Sequence, residues 1–240
     1  MTERPSDKNA AISALIENVE KIIVGKRQAI ELVIAAMLTG GHVLIEDVPG
    51  VGKTKLVSSV ARSCGGTFGR IQMTPDVMPS DITGFTMINT QTGANEFRKG
   101  AAFCNFLLAD EINRASPKSQ SALLEIMEEG QVSLDGNIYP LPKPFMVLAT
   151  QNPVETYGTY HLPEAQMDRF VMKISMGYPD KTDELAILER NDGIELHYLN
   201  NREINDLFKQ NLSEDDYLEA MLVYFEMIKN MVGEYLLNKN

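Results

Sequence analysis

Apolar residues recur at helical spacing between residues 10 and 38: Ile12, Leu15, Ile16, Val19, Ile22 and Ile23, then Ile30, Val33, Ile34, Met37 and Leu38. Val24-Gly25-Lys26 interrupts the period, which predicts two helices joined by a bend. After Gly40-Gly41 the pattern changes. His42-Val43-Leu44-Ile45-Glu46 is a short apolar run closed by a Gly- and Pro-containing loop over residues 47–52, as expected of a buried strand feeding a loop. Helical spacing resumes over residues 53–64. Residues 67–73, 105–109, 145–150 and 170–176 predict four further strands. Ser116-Pro117 reads as an N-cap followed by proline at the first helical position, opening a helix that runs through Leu123, Leu124 and Met127 to a stop at Gly130. Strands alternating with helices predict an α/β fold, with a five-stranded, mainly parallel sheet covered by helices on both faces.

Two segments break the alternation. Residues 83–100 alternate apolar and polar positions around Gly93, and residues 130–144 do so around Asp135-Gly136, a strong hairpin turn signal. Both predict β-hairpins inserted into the α/β core, and their plainest role is surface decoration. Beyond about residue 195 the chain changes character. Asn200-Asn201 and Asn205 mark loop or cap positions, and residues 213–237 predict one long helix whose wide apolar surface, from Leu218 to Leu236, suits core packing.

Composition removes several classes. Apolar residues at 44% and charged residues at 23% of 240 are globular values, so disordered, collagen-like and coiled-coil chains are excluded. The net charge of −11 gives no global attraction to phosphate backbones or anionic lipid. Cys64 and Cys104 show no CxxC spacing, which suggests neither a disulfide framework nor a zinc site and makes a reducing cytosol the simplest home. No apolar run approaches the roughly 18 residues that span a membrane, and the first residues lack the apolar stretch of a signal peptide. A cytoplasmic protein without a membrane span is the expectation.

The strongest chemical signal is Asp47-Val48-Pro49-Gly50-Val51-Gly52-Lys53-Thr54, set between a predicted strand and a predicted helix, the context of a phosphate-binding P-loop. Glycines let backbone N–H groups turn inward around phosphates, and the following helix N-terminus favours anions. Lys53 would neutralise the β and γ phosphates, and Thr54 would place its hydroxyl on Mg²⁺. The strict pattern has glycine where Asp47 stands. An ordinary glycine-rich turn is the competing reading, and Gly-Val-Gly-Lys-Thr in this context makes it the weaker one.

Phe106-Leu107-Leu108-Ala109-Asp110-Glu111 is a buried strand ending in two carboxylates. In a P-loop protein the strand beside the phosphate loop delivers an aspartate toward Mg²⁺ and a neighbouring glutamate that polarises the attacking water. Asp110 fits the first role and Glu111 the second, although alone such a pair is commonly a solvated strand end. Asn152, at the end of the strand over residues 145–150, has the amide to hydrogen-bond a γ-phosphate or orient water. Without the other two motifs it is simply an asparagine opening a turn before Pro153.

EDVPGVGKT, LLADEINRASPKSQSALLEIMEEGQV and LATQNPVETYGTYHLPEAQMDRF together resemble the MoxR branch of the AAA+ ATPases over about residues 10–195. That branch usually replaces the first P-loop glycine, so Asp47 fits it. The resemblance implies an AAA+ core over residues 1–179 and a helical lid over residues 180–240. Its Walker A loop would hold ATP through Pro49, Gly50, Val51, Gly52, Lys53 and Thr54, with Val24 and Gly25 near the adenine. Asp110 and Glu111 would be Walker B, with Thr54 and Asp110 holding Mg²⁺, and Asn152 sensor 1. Arg169 would be an arginine finger completing a neighbouring subunit's site, where its plain alternative is a surface ion pair worth about 0–1 kcal/mol. Arg114 would contact nucleotide across the interface or fix its turn. The hairpins resemble the inserts of this clade, and a hexameric ring acting on a client or on a von Willebrand factor A domain protein is implied.

One departure stands out. Residues 183–190 resemble the first lid helix, yet nothing after them resembles the family's Ser-Pro-Arg sensor 2 signature, and Arg202 is the only later arginine. The lid is therefore expected to be short or incomplete. Two functions follow: an ATP-hydrolysing, ring-forming remodeller or maturation factor, or a nucleotide-gated assembly module with weak turnover. A DNA motor of the related helicase clade is disfavoured by the charge, with only Arg98 and Lys99 flanking one hairpin.

Overall fold

A computed structural model of the chain describes residues 5–153 and 159–189. The bent helical pair is α1 (Pro5–Glu20) and α2 (Arg27–Leu38), with Gly25 in the left-handed region at φ +69° between them. β1 (Val43–Glu46), α3 (Lys53–Ser63), β2 (Phe68–Gln72) and the short α4 (Pro79–Thr83) follow. Next come the hairpin β3 (Gly84–Ile88) and β4 (Asn95–Lys99), then β5 (Phe106–Asp110), a 3-10 turn (Ile112–Arg114) and α5 (Pro117–Glu129). The hairpin β6 (Gln131–Leu134) and β7 (Asn137–Pro140) precedes β8 (Met146–Gln151), α6 (Glu164–Met167), β9 (Met172–Ile174) and α7 (Lys181–Glu189).

Five strands form one parallel sheet in the order β2-β5-β8-β1-β9. The apolar runs are continuous because side chains that alternate in direction meet a helical layer on each face. Val43, Ile45, Phe106, Leu108, Met146 and Leu148 pack with Ile30, Val33, Leu56 and Val60 of α2 and α3. Leu44, Leu107, Ala109, Val147 and Ala149 pack with Ile82 of α4 and with Leu123, Ile126 and Met127 of α5. Ser116 caps α5 as its sequence suggests, accepting a hydrogen bond from the Ser119 N–H at 3.3 Å.

Two sequence expectations need correction. The strand carrying Asp110 is not beside the phosphate-loop strand, because β8 pairs with both β5 and β1 and lies between them. The fifth strand is also shorter than residues 170–176. Phe170 closes the turn after α6 with its N–H on the Met167 carbonyl, and past Ile174 the backbone leaves the sheet for the carboxylate of Asp47.

Both hairpins form. Asp135 (φ 50°) and Gly136 (φ 75°) make the tight left-handed turn that their dipeptide suggests. The hairpins also pack on each other: the Phe97 ring of β4 stacks on Tyr139 of β7 with centroids 3.9 Å apart and meets Phe103 edge-on at 5.4 Å. Both cysteines are free, and burial pushes the Cys64 thiol up to about 12 and the Cys104 thiol to about 11, so each stays protonated at neutral pH. Among the described residues no helix is long and apolar enough to cross a membrane. α7 begins where the lid was expected; the rest of that region, with Arg202 and the helix expected over residues 213–237, lies outside the described residues.

Candidate functional site

The C-terminal ends of β1, β8 and β5 lie side by side, and the residues following them line one cleft of about 390 Å³. Such an edge, where loops leave a parallel sheet, is where open α/β folds bind ligands. β1 leads into the loop over residues 47–52. Gly50 (φ +89°) and Gly52 (φ +91°) hold left-handed backbone, and nothing lies within 4 Å of where a Cβ would stand at either. Glycine is thus required by conformation, and it leaves open space against the backbone. α3 starts at the next residue with no side chain capping it. Its first N–H groups therefore offer an anion both donors and the positive end of the helix dipole. Lys53 Nζ donates to the Asp47 carbonyl at 2.9 Å, and Thr54 and Lys55 line the same cleft.

The opposite wall is built on β5 and β8. Register puts Thr150 between Ile45 and Asp110, with its side chain fully buried. Its hydroxyl donates to Asp110 Oδ1 at 2.6 Å and accepts the Glu111 N–H at 2.9 Å. Glu111 sits in the left-handed region at φ 58°, ψ 52°, which costs a non-glycine residue about 1–2 kcal/mol. The Thr150 bond and the Arg114 N–H on the Glu111 carbonyl, at 2.9 Å, hold it there. The result turns both carboxylates toward the cleft. Asn152, buried at the end of β8, lines it as well.

These carboxylates are held by neighbours. Arg70 Nη2 pairs with Asp110 Oδ2 at 2.7 Å and donates to Gln72 Oε1 at 2.9 Å, while Gln72 Nε2 donates to Glu111 Oε2 at 2.8 Å. Arg114 Nη1 is 3.3 Å from the same Glu111 oxygen. Asp47 is buried, and its carboxylate accepts from the N–H groups of Met176 and Gly177 and from the Ser175 hydroxyl.

Of the residues singled out in the sequence, Pro49, Gly50, Gly52, Lys53, Thr54, Asp110, Glu111 and Asn152 meet at this cleft. Val51 turns into the core, leaving only its backbone for the loop. Val24 and Gly25 stay in the α1–α2 bend, where the Asp183 carboxylate of α7 presses against Gly25 so closely that a Cβ would stand 1.8 Å from Oδ2. Arg169 lies at the other edge of the sheet, in the turn before β9, paired with Glu128 of α5 at 2.7 Å. The length of β1, roughly 13 Å for four residues, separates the two edges. Arg70, Gln72, Lys55 and Thr150 were not singled out. The alternation of Arg70 and Gln72 on β2, and a threonine closing an apolar run, were the only hints, since a buried hydroxyl demands partners.

The donor set fits Mg²⁺ with a nucleotide phosphate. The Thr54 hydroxyl and the Asp110 carboxylate are hard oxygen ligands on one cleft, facing an uncapped helix start and a lysine. Among the described residues no group of three or more His, Cys, Asp or Glu side chains is arranged to hold a metal on its own.

A family model described as the ATPase family associated with various cellular activities (AAA) matches residues 42–172, from the start of β1 into β9. The uncharacterized protein YeaC of Bacillus subtilis is 54% identical over 182 residues, covering 76% of this chain and 57% of that one. Chaperone MoxR1 of Mycobacterium tuberculosis is 54% identical over 177 residues, covering 73% and 46%. This chain thus spans about half the length of the curated relatives it matches. A crystal structure of a Cytophaga hutchinsonii protein assigned by inference as an ATPase superposes with a TM-score of 0.72 at 44% identity, over 90% of this chain and 63% of that one. Sequence, sheet order and loop geometry therefore agree, and the chain belongs to the AAA ATPase family, in its MoxR branch.

Proposed function

We propose that this protein binds ATP with Mg²⁺ at the cleft, hydrolyses it, and uses the cycle within a ring to remodel or mature client proteins. One observation carries the reading: an uncapped helix start behind two left-handed glycines faces a pair of carboxylates across a single cleft. In this reading the N–H groups of residues 50–54 and Lys53 hold the β and γ phosphates. Thr54 and Asp110 hold the metal, which when bound neutralises developing charge on the transferred phosphoryl group. Glu111 accepts a proton from the attacking water, and Asn152 orients that water by its amide. The membership of a family whose relative is named a chaperone supports a client-directed role.

Arg169 is assigned in trans. At the N-terminal edge of the sheet it stands a strand length from its own phosphate loop, so it serves a neighbour's site in a head-to-tail ring, six-membered as the family resemblance implies.

A second reading, a nucleotide-gated assembly module with weak turnover, draws on a specific feature: Arg70, Gln72 and Arg114 already occupy oxygens of Asp110 and Glu111. Glu111→Gln tests the first reading, since the amide keeps shape and loses basicity. ATP binding should persist while steady-state phosphate release falls by about 10²–10⁴-fold. Wild-type turnover in that variant overturns the role of Glu111, and negligible turnover of the unaltered protein at ring-forming concentration favours the second reading.

A further inference from the structure

Residue 47 holds a side chain where the strict phosphate-loop pattern has glycine, and the backbone explains why it can. Among the described non-glycine residues only Glu111 and Asp135 have positive φ, so position 47 makes no demand for glycine; the left-handed turns fall at Gly50 and Gly52. Every polar group of Asp47 is engaged. Its N–H extends the β1–β8 ladder by donating to the Gln151 carbonyl at 3.2 Å, and its carbonyl accepts Lys53 Nζ at 2.9 Å. Its buried carboxylate takes the Met176 N–H on Oδ2, the Gly177 N–H at 3.2 Å and the Ser175 hydroxyl at 3.1 Å on Oδ1. A buried carboxylate is costly unless such donors surround it, so this one is built in as a hub.

The segment it grips is the link from β9 to α7. Further along, Lys26 Nζ donates to the Tyr178 carbonyl at 2.8 Å, and Asp183 of α7 presses on Gly25. The link is thereby fastened at one end to the phosphate loop and at the other to the α1–α2 bend. A phosphate entering the loop competes with the Asp47 carbonyl for the Lys53 ammonium, and the same residue carries the carboxylate that fixes the link.

We propose that Asp47 is a positioning residue that locks residues 175–177 onto the phosphate loop, so that filling of the phosphate site is transmitted to the link leading into α7. The transmission rests on the nucleotide-binding reading above; the clamp itself does not. Amide exchange at Met176 and Gly177, followed by NMR with and without Mg·ADP, tests both parts, with Mg·ADP binding measured separately. In the unaltered protein the two amides should exchange slowly and change further when Mg·ADP binds. In Asp47→Ala they should exchange about ten- to a hundredfold faster without nucleotide, the factor expected for losing charge-assisted acceptors. Bound Mg·ADP should then no longer move them. Asp47→Asn keeps an acceptor oxygen and should restore most of the slow exchange and the response.

Unchanged exchange in Asp47→Ala overturns the clamp, and an undiminished response to bound Mg·ADP overturns the transmission. Failure of the unaltered protein to bind Mg·ADP overturns the functional reading and the transmission together, while the contrast without nucleotide still decides the clamp. Should Asp47→Ala not fold, Asp47→Asn must preserve the response and Ser175→Ala, which removes only the hydroxyl, must weaken it; the reverse order overturns the proposal.

Discussion

The two edges of the sheet treat polar groups in opposite ways. At the C-terminal edge, Lys53, Asp110 and Glu111 are bonded to protein partners yet remain on an open cleft, and α3 starts without a cap. At the N-terminal edge, His42 is sealed: Nδ1 accepts the Val147 N–H at 3.0 Å, and Nε2 lies 2.9 Å from the Met127 carbonyl. Those bonds require the Nε2–H tautomer, and burial holds the ring's pKa below its ordinary value. The contrast separates polar groups whose partners can be exchanged for a ligand from those whose partners are the fold itself.

Arg169 tests the contrast, because it stands at the edge that holds His42 yet keeps its side chain half exposed, and it is proposed to act at the open edge of another subunit. Arg169→Ala should lower turnover by about 10³-fold or more if it acts as a finger, while ATP binding within each subunit persists. Neither Arg169→Ala nor Lys53→Ala should turn over alone, yet their mixture should recover part of the activity, and hydrolysis should rise with protein concentration. A concentration-independent rate, or a mixture as inactive as its components, leaves Arg169 as the partner of Glu128 only.

Lys53→Ala confines its effect to the open edge. If Lys53 meets the phosphates as proposed, removing its cation should weaken ATP binding by about 100-fold or more, read by titration with a fluorescent nucleotide, while thermal stability stays within a few degrees. Undiminished affinity would sink the phosphate-loop assignment.

His42 sharpens the contrast from the sealed side. Its folded pKa is depressed, so the neutral ring contributes stability that is present above the unfolded value of about 6.5 and is lost as pH falls below it. Urea unfolding between pH 7.5 and 5.5 should show a slope approaching one proton. His42→Gln should lower stability throughout and flatten that slope, whereas a slope that survives the substitution places the proton elsewhere. The smallest effect belongs to Ser116→Ala, which removes the cap of α5 and should cost about 1 kcal/mol in the same assay, with nucleotide affinity unaltered.

Much of the open edge was legible along the chain because its chemistry lies in short contiguous runs. Gly50, Gly52 and Lys53 sit within four residues, and Asp110-Glu111 closes an apolar run. The Asp135-Gly136 turn and the Ser116 cap were legible for the same reason, since each is a local preference of two to four residues. Arg70 and Thr150 were not, because Arg70 meets Asp110 from forty positions away and Thr150 meets it from forty positions on the other side. Nothing in either stretch announces those partners.

Sequence alone determined the five sheet strands in outline, the two hairpins, the longer helices α1, α2, α3 and α5, the parallel α/β class and the position of the glycine loop. Burial on two faces writes continuous apolar strands and the loop's left-handed turns demand glycine at fixed places, whereas the short α4 and α6 carry too few residues to show a period. Only the tertiary structure decided that β8 stands between β1 and β5, that Thr150 holds the Asp110 carboxylate and the Glu111 backbone N–H, and that Asp47 holds the start of the link to α7. Strand order and such long-range hydrogen bonds depend on which surfaces meet when the helices pack on the sheet, and a register of side chains contributed by distant segments has no signature in the local pattern of any one of them.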